Sequence, residues 1–316
     1  MRSPEATPAG GTATDLAQLG QALAALDGLI LGKTRQLRLC ISCLLAGGHL
    51  LIEDVPGVGK TTLAHGLARA LGLSYQRIQF TSDLLPADIV GVSIYEREGG
   101  TFRFHPGPVF AQLVLADEVN RATPKAQSAL LEAMEERQVT VDGVSHPLPE
   151  PFFVVATQNP EDQVGTFPLP ESQLDRFLMR IRLGYPERAL ERELLRGEDR
   201  RALLARLPAA AEPGVLLRLR EAVDRVHASE ALLDYVQALV AHSRERPGFG
   251  AGLSPRAAIA LLRSARAWAL LDGRRSVIPE DVQAVTPAVV GHRLRADGDT
   301  TGADPGERLV AAVAIP

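Results

Sequence analysis

Between residues 54 and 61 the chain reads Asp54-Val55-Pro56-Gly57-Val58-Gly59-Lys60-Thr61, a set of residue types at a spacing that suits polyphosphate chemistry. Glycines let successive backbone N–H groups turn inward around an anion. A lysine just beyond them reaches the outer phosphates, and the neighbouring threonine hydroxyl can hold Mg²⁺. The residues in position to contact a nucleotide are therefore Gly57, Val58, Gly59, Lys60, Thr61 and Thr62, with Thr61 also a metal ligand. An apolar run, Leu50-Leu51-Ile52, precedes the loop, and an apolar-periodic segment from Thr62 to Leu71 follows it. Strand, loop and helix in that order bring a helix N-terminus, worth about half a positive charge, against the phosphates. A Gly-Lys-Thr triplet can arise by accident in a surface turn, but these flanks argue against that. One position departs from the usual loop pattern: the glycine expected six residues before the lysine is Asp54.

Phosphoryl transfer asks a protein for positioning and charge more than for covalent chemistry. Asp117 and Glu118 end a buried apolar run, Leu113-Val114-Leu115-Ala116. Asp117 suits the Mg²⁺ shell, and Glu118, pointing elsewhere, suits the base that orients an attacking water. Alone, such a pair is equally well a plain exit from a strand; downstream of a phosphate loop the catalytic reading prevails. Asn159 ends a later apolar run, Phe152–Ala156, where a neutral amide can hydrogen-bond the water or the γ-phosphate. A turn-forming asparagine before Pro160 is the plainer alternative, but the C-terminal edge of a parallel sheet favours function. Arg176, in Leu174-Asp175-Arg176-Phe177, either pairs with a nearby acid or reaches a neighbouring subunit's nucleotide. In the second role a cation is worth about 10³–10⁵ in rate. Arg256, in Leu253-Ser254-Pro255-Arg256, opens a helix, where a cation is unfavourable unless an anion compensates. It is either a phosphate sensor or an exposed arginine. His49, His105 and His146 show no ligand spacing.

Composition bounds the rest. The 316 residues suggest about two domains. Hydrophobic content of 46% and charged content of 23% suffice for a substantial core, and aromatic content of only 4% leaves that core to Leu, Ala, Val and Ile. A net charge of −4 argues against a broad nucleic-acid-binding surface. Apolar runs are broken well short of the ~20 residues of a membrane span. Met1 to Thr14 lacks the apolar centre of a secretory signal and reads as a flexible lead-in. Cys40 and Cys43 fall in an apolar stripe with Leu37, Ile41, Leu44 and Leu45, and read as buried helix residues in a reducing, cytoplasmic compartment, not as a metal pair.

The elements that must position these groups follow from periodicity. Residues 15–47 read as helical with a break at Asp27-Gly28, followed by a short apolar turn, Ile30-Leu31-Gly32-Lys33. Strands are expected near His49–Glu53, Gln76–Phe80, Leu113–Ala116, Phe152–Ala156 and Arg180–Leu183, and a helix capped by Thr123-Pro124. Alternating runs Val90–Tyr95 and Thr101–His105 flank Glu98-Gly99-Gly100 as a hairpin. Gln138–Val141 and Val144 flank Asp142-Gly143 as another. Arg103 and His105 on the first hairpin could meet a substrate, although a solvated strand face is commoner. Beyond Tyr185-Pro186 the pattern is helical to about Leu294, with interruptions at Pro213-Gly214, Pro247-Gly248 and Asp272-Gly273. The division expected is a lead-in at 1–14, an α/β core at 15–185, a helical domain at 186–295 and a tail at 296–316, with Leu309–Ile315 as a short strand.

Taken together the chain resembles the AAA+ ATPases and, among them, the MoxR family, from about Leu16 to Arg295. The blocks that carry the likeness are Leu51–Thr61, Phe104-His105-Pro106-Gly107-Pro108-Val109-Phe110, Leu115–Ala122, Gln127–Thr140, Ala156-Thr157-Gln158-Asn159-Pro160 and Pro168–Phe177. MoxR-like loops share the Asp54 departure. The resemblance implies an α/β P-loop core with a parallel five-stranded sheet flanked by helices, a smaller all-α lid, and ATP with Mg²⁺ at each boundary of a hexameric ring. By position, Lys60 and Thr61 would be the Walker A pair, Asp117 and Glu118 the Walker B pair, Asn159 sensor 1, Arg176 the arginine finger and Arg256 sensor 2. Arg256 could act in cis or in trans, and Arg121 and Arg180 are nearby rivals for the finger. Ile30, Leu31 and Gly32 fall where such proteins contact adenine. The hairpins at about 84–110 and 138–148 correspond to the helix-2 and pre-sensor-1 inserts. The family implies chaperone-like remodelling with partners carrying von Willebrand factor A domains, in the maturation of metal- or cofactor-containing complexes.

Two other functions compete with a remodelling ATPase. A nucleic-acid motor would share such inserts, but acidic charge and few aromatics lower that reading. A scaffold that binds ATP to assemble but barely turns it over has no need of a well-placed Glu118.

Overall fold

The computed structural model describes residues 9–97, 100–160, 165–245, 249–250, 252–294 and 304–315. Helix α1 (Ala9–Leu29) leads to α2 (Thr34–Leu45), β1 (Leu50–Glu53), α3 (Lys60–Ala70), β2 (Tyr75–Gln79) and a short α4 (Pro86–Val90). Then come the hairpin strands β3 (Gly91–Glu96) and β4 (Thr101–Pro106), followed by β5 (Leu113–Asp117), α5 (Pro124–Glu136), the second hairpin β6 (Gln138–Val141) and β7 (Val144–Pro147), and β8 (Phe153–Gln158). A single turn, α6 (Glu171–Leu174), precedes β9 (Met179–Ile181). The rest is helical: α7 (Arg188–Arg196), α8 (Arg200–Arg206), α9 (Pro213–Asp224), α10 (Glu230–Glu245), α11 (Pro255–Leu271), α12 (Pro279–Val290) and α13 (Pro305–Ala312).

Five parallel strands form one sheet in the order β2-β5-β8-β1-β9. Its central strands are apolar on both faces because helices cover both. In β1, Leu50 and Ile52 face one apolar cluster and Leu51 the other. Leu113 and Leu115 of β5 alternate in the same way with Val114 and Ala116, as do Phe153 and Val155 of β8 with Val154 and Ala156. The first cluster continues through α1, α2 and α3 into α9–α12, so the lid is built onto the α1–α3 side of the sheet. The second is closed by α5 and the Ile89–Ala111 segment.

Several expectations about elements need correcting. Helix α1 starts at Ala9, inside the expected lead-in, and buries Leu19, Ala22, Leu26 and Leu29 at helical spacing. It runs through Asp27-Gly28. The break comes instead at the Ile30–Lys33 turn, where Gly32 has φ +70°. At the other end, Leu309–Ile315 contains no strand. Asp304 caps α13 by accepting from the Gly306 N–H at 2.8 Å, and Leu309 is fully buried. Gly306 lies so close to Pro287 of α12 that a Cβ there would fall 2.6 Å from the Pro287 Cα, which fixes α13 against α12. Met1 to Pro8, the Glu98-Gly99 turn, Pro247-Gly248 and the expected tail from 296 to 303 lie outside the described residues. Cys40 and Cys43 are buried free thiols in α2, and burial pushes Cys40 up to about 12. Among the described residues no helix is long and apolar enough to cross a membrane.

Candidate active site

The phosphate loop joins the C-terminal end of β1 to α3. Gly57 and Gly59 take φ of +85° and +94°, a region in which only glycine is unstrained, and Gly59 is the N-cap of α3. Lys60 folds back over the loop, donating to the carbonyls of Asp54 at 2.5 Å and Val55 at 3.2 Å. Burial holds its ammonium below the usual lysine value, against the opposing pull of Asp54, Asp117 and Glu118. Thr61 and Thr62 follow in the first turn of α3.

Asp54 explains its own departure from the glycine pattern. Its carboxylate is almost wholly buried; Oδ2 accepts from the N–H groups of Leu183 and Gly184 at 2.6 and 2.7 Å, and Oδ1 from its neighbour Val55 at 2.9 Å. The loop is thereby tied to the strand exit after β9, where the chain turns towards the lid. The Ile30–Lys33 turn meets the same exit: Lys33 donates to the Tyr185 carbonyl at 3.0 Å, and Gly32 packs under Leu190 of α7. Ile30, Leu31 and Gly32 thus border the loop through the 183–190 segment.

Asp117 closes β5, next to β8 on one side and β2 on the other. Thr157 donates to its Oδ1 at 2.6 Å, while Arg77 of β2 donates to Oδ2 through Nε at 3.0 Å and a terminal nitrogen at 2.6 Å. Glu118 sits in the left-handed region at φ 57° and ψ 49°, an uncommon conformation for a non-glycine residue and one concentrated at functional sites. The Thr157 hydroxyl oxygen accepts the Glu118 N–H at 2.9 Å, so one side chain orients both acids. The Glu118 carboxylate accepts from Gln79 at 2.8 Å and lies 3.3 Å from Arg121. Asn159 is buried just beyond β8, its carbonyl facing the Asn120 amide.

These oxygens fit a nucleotide-borne Mg²⁺. Such an ion keeps several waters and takes one or two protein oxygens plus phosphate oxygens, not an all-protein cage. Thr61 and the buried, twice-anchored Asp117 carboxylate supply hard oxygen donors of the right kind. The ion would neutralise charge on the β- and γ-phosphates. Glu118, in its left-handed backbone conformation, carries its carboxylate beside Gln79 and Arg121.

Arg176 and Arg256 lie elsewhere. Both line a cleft with Ala46–His49, Glu135, Arg137, Asp175, Leu178, Arg263 and Arg293. Ala46–His49 precede β1 and Leu178 precedes β9, so the cleft adjoins the N-terminal ends of the strands, whereas the phosphate loop follows their C-terminal ends. Four strand residues, about 13 Å of rise, intervene along β1 alone. Five arginines face two carboxylates there. Of the rival arginines, Arg180 is largely buried and paired with Glu53 at 3.1 Å, and Arg121 is beside Glu118 in the same chain.

Sequence reasoning missed Arg77, Gln79, Thr157 and Glu135. The first two were signalled by their alternation on β2, which puts both on one face beside β5.

Comparison with known proteins agrees with the geometry. Residues 49–179 match the family described as ATPase family associated with various cellular activities (AAA), and residues 241–311 match the AAA lid domain. The YeaC protein of Bacillus subtilis is 46% identical over 87% of this chain and 86% of its own length. The chaperone MoxR1 of Mycobacterium tuberculosis is 42% identical over 92% of this chain and 79% of its own. A crystal structure of a protein from Cytophaga hutchinsonii superposes with a TM-score of 0.88 at 36% identity, covering 97% of each chain. Fold and site together define an ATP-hydrolysing AAA+ P-loop core with a helical lid. Within that class, the chain belongs to the MoxR family.

Proposed function

We propose that this protein hydrolyses ATP with Mg²⁺ at the boundaries of a hexameric ring and uses the cycle, in the cytoplasm, to remodel a protein client. One observation carries the shared-site reading: the loop and acids are at one end of the sheet, and Arg176 and Arg256 are at the other. In this arrangement Arg176, just ahead of β9, lies at the opposite end of the sheet from its own chain's loop, and Arg256 is ion-paired beside it through Glu135. A second copy placed with its arginine end against the first copy's loop completes the site. On this reading Lys60, Thr61, Thr62 and the Gly57–Gly59 backbone hold the polyphosphate, Thr61 and Asp117 hold the metal, Glu118 activates water and Asn159 orients it. Arg176 and Arg256 both act in trans, and Ile30–Gly32 border the adenine.

The remodelling role is supported by the chaperone MoxR1 among the relatives and by the β3–β4 hairpin. That hairpin holds Tyr95 and Phe102 largely exposed, their rings 5.3 Å apart, with Val92 and Ile94 also exposed. Tyr95 and Phe102 share one face of the ribbon and Val92 and Ile94 the other, and exposed apolar side chains on both faces suit protein contact. A partner with a von Willebrand factor A domain and a client bearing a metal or cofactor accord with the family.

Mixing two inactive proteins tests the shared site. Glu118→Gln is expected to bind ATP without turnover, and Arg176→Ala to bind it and turn over at least 10³-fold slower. Mixed rings form boundaries with an intact acid on one side and an intact arginine on the other, and are expected to regain activity. No recovery in rings shown to contain both proteins would remove the reading.

A further inference from the structure

We infer that Glu135 is a positioning residue for hydrolysis, holding Arg176 and Arg256 together as one unit presented to the neighbouring copy's phosphates. The inference rests on the shared-site reading above. The two arginines come from distant parts of the chain: Arg176 follows the α6 turn, and Arg256 is in the first turn of α11, in the lid. Both guanidinium groups converge on the same carboxylate oxygen, Glu135 Oε2, Arg256 at 3.0 Å and Arg176 at 3.9 Å. Two like charges brought this close repel, and an anion between them removes much of that cost.

The support behind Glu135 is stiff, as positioning requires. It stands near the C-terminus of α5, which is anchored at the Met134 carbonyl and through the Arg137 side chain. The His49 ring accepts the Val154 N–H at Nδ1, 3.0 Å away, so its Nε2 carries the proton and donates to the Met134 carbonyl at 3.3 Å. Arg137, in the left-handed conformation just past the helix, donates to the Gly47 carbonyl at 2.9 Å. On the far side Asp175 lies 3.9 Å from Arg256 and is itself held by the buried Arg293 at 2.6 Å. Core and lid therefore meet in a run of alternating charges, Arg176–Glu135–Arg256–Asp175–Arg293. The excess of arginines over acids leaves the cleft positive and ready for a polyanion. Among the described contacts, no acid other than Glu135 touches both Arg176 and Arg256.

Glu135→Gln keeps the shape and removes the charge. Its expected effect is a fall in kcat of about tenfold or more, with KM for ATP changed less than about threefold and Tm nearly unchanged. In an Arg176→Ala Arg256→Ala background the same substitution should change the residual rate less than about twofold, because nothing is left to position. A merely structural role would lower the rate in both backgrounds. Glu135→Asp should restore part of the loss. Mixed with Glu118→Gln, the Glu135→Gln protein should regain activity; mixed with Arg176→Ala it should not, since both lesions then lie on the same side of every boundary. The pair Glu118→Gln with Arg176→Ala is the control. If that pair fails to recover, the shared-site reading itself is wrong. If it recovers and Glu135→Gln is as fast as the unaltered protein, or slows the double-arginine variant equally, Glu135 is not a positioning residue.

Discussion

Thr157 is hydrogen-bonded to Asp117 at 2.6 Å, and the same hydroxyl oxygen accepts the backbone N–H of Glu118. A fully buried side chain on the adjacent strand β8 thus braces both the Asp117 carboxylate and the left-handed backbone of Glu118. Thr157→Val preserves volume but leaves a carboxylate oxygen and an N–H without that partner. Supporting groups of this kind are worth about 10–100-fold in activity or metal affinity. The substitution is expected to lower kcat by that factor and to raise the Mg²⁺ concentration needed for half-maximal rate. Steady-state rates across a Mg²⁺ titration measure both.

Asp54 offers a second test, because its carboxylate joins the phosphate loop to the Leu183-Gly184 strand exit. Asp54→Ala strands two buried or half-buried N–H groups, each costing about 1–3 kcal/mol when unpaired, and releases the loop. ATP affinity is expected to weaken by about tenfold or more, with a lowered Tm. Isothermal titration with nucleotide and a thermal melt on the same variant check the two effects together. Unchanged affinity with lowered Tm would make Asp54 a purely structural brace.

The fold was largely legible from alternation and glycine placement, and the reasons are local. Leu50–Ile52, Leu113–Ala116 and Phe153–Ala156 are short apolar runs with turn signals at their ends, the mark of strands buried on both faces. Errors fell where local signals conflict with packing. Gly28 looked like a stop, yet it lies near the end of α1 with open space around it, whereas Gly32 has the positive φ and the crowded contact with Leu190. Leu309–Ile315 alternates weakly like a strand, but the Asp304 cap and close contact with Pro287 make α13 a helix. In the site, Lys60, Thr61, Asp117 and Glu118 were legible because their spacing is itself the chemistry. Thr157, Arg77 and Glu135 were not, because what matters in each is a contact across strands or between core and lid, which no local pattern encodes.

Acid should loosen the molecule through His49. Burial pulls its imidazole down from the ordinary value of 6.5 to about 3. The folded state therefore keeps the ring neutral while the unfolded chain takes up a proton below about pH 6.5. The stabilisation is complete above that pH and is lost progressively as pH falls towards 3, by about 1.4 kcal/mol per pH unit for this group. His292, buried and hydrogen-bonded to the Phe177 carbonyl, is shifted the same way and adds to the slope. Denaturant unfolding at intervals between pH 7 and 5 should show the decline, and His49→Gln should flatten it by about that increment. An equal slope in the variant would place the acid sensitivity elsewhere.

On the proposed shared site, hydrolysis needs two copies, one giving the loop and Glu118, the other Arg176 and Arg256. The most direct measurement is turnover per chain as the protein is diluted through the range in which sedimentation shows the assembly falling apart, at saturating ATP and Mg²⁺. The rate per chain is expected to fall in step with the assembled fraction, towards about 10⁻³ or less of its plateau. A rate per chain that stays constant when only monomers remain would contradict the account.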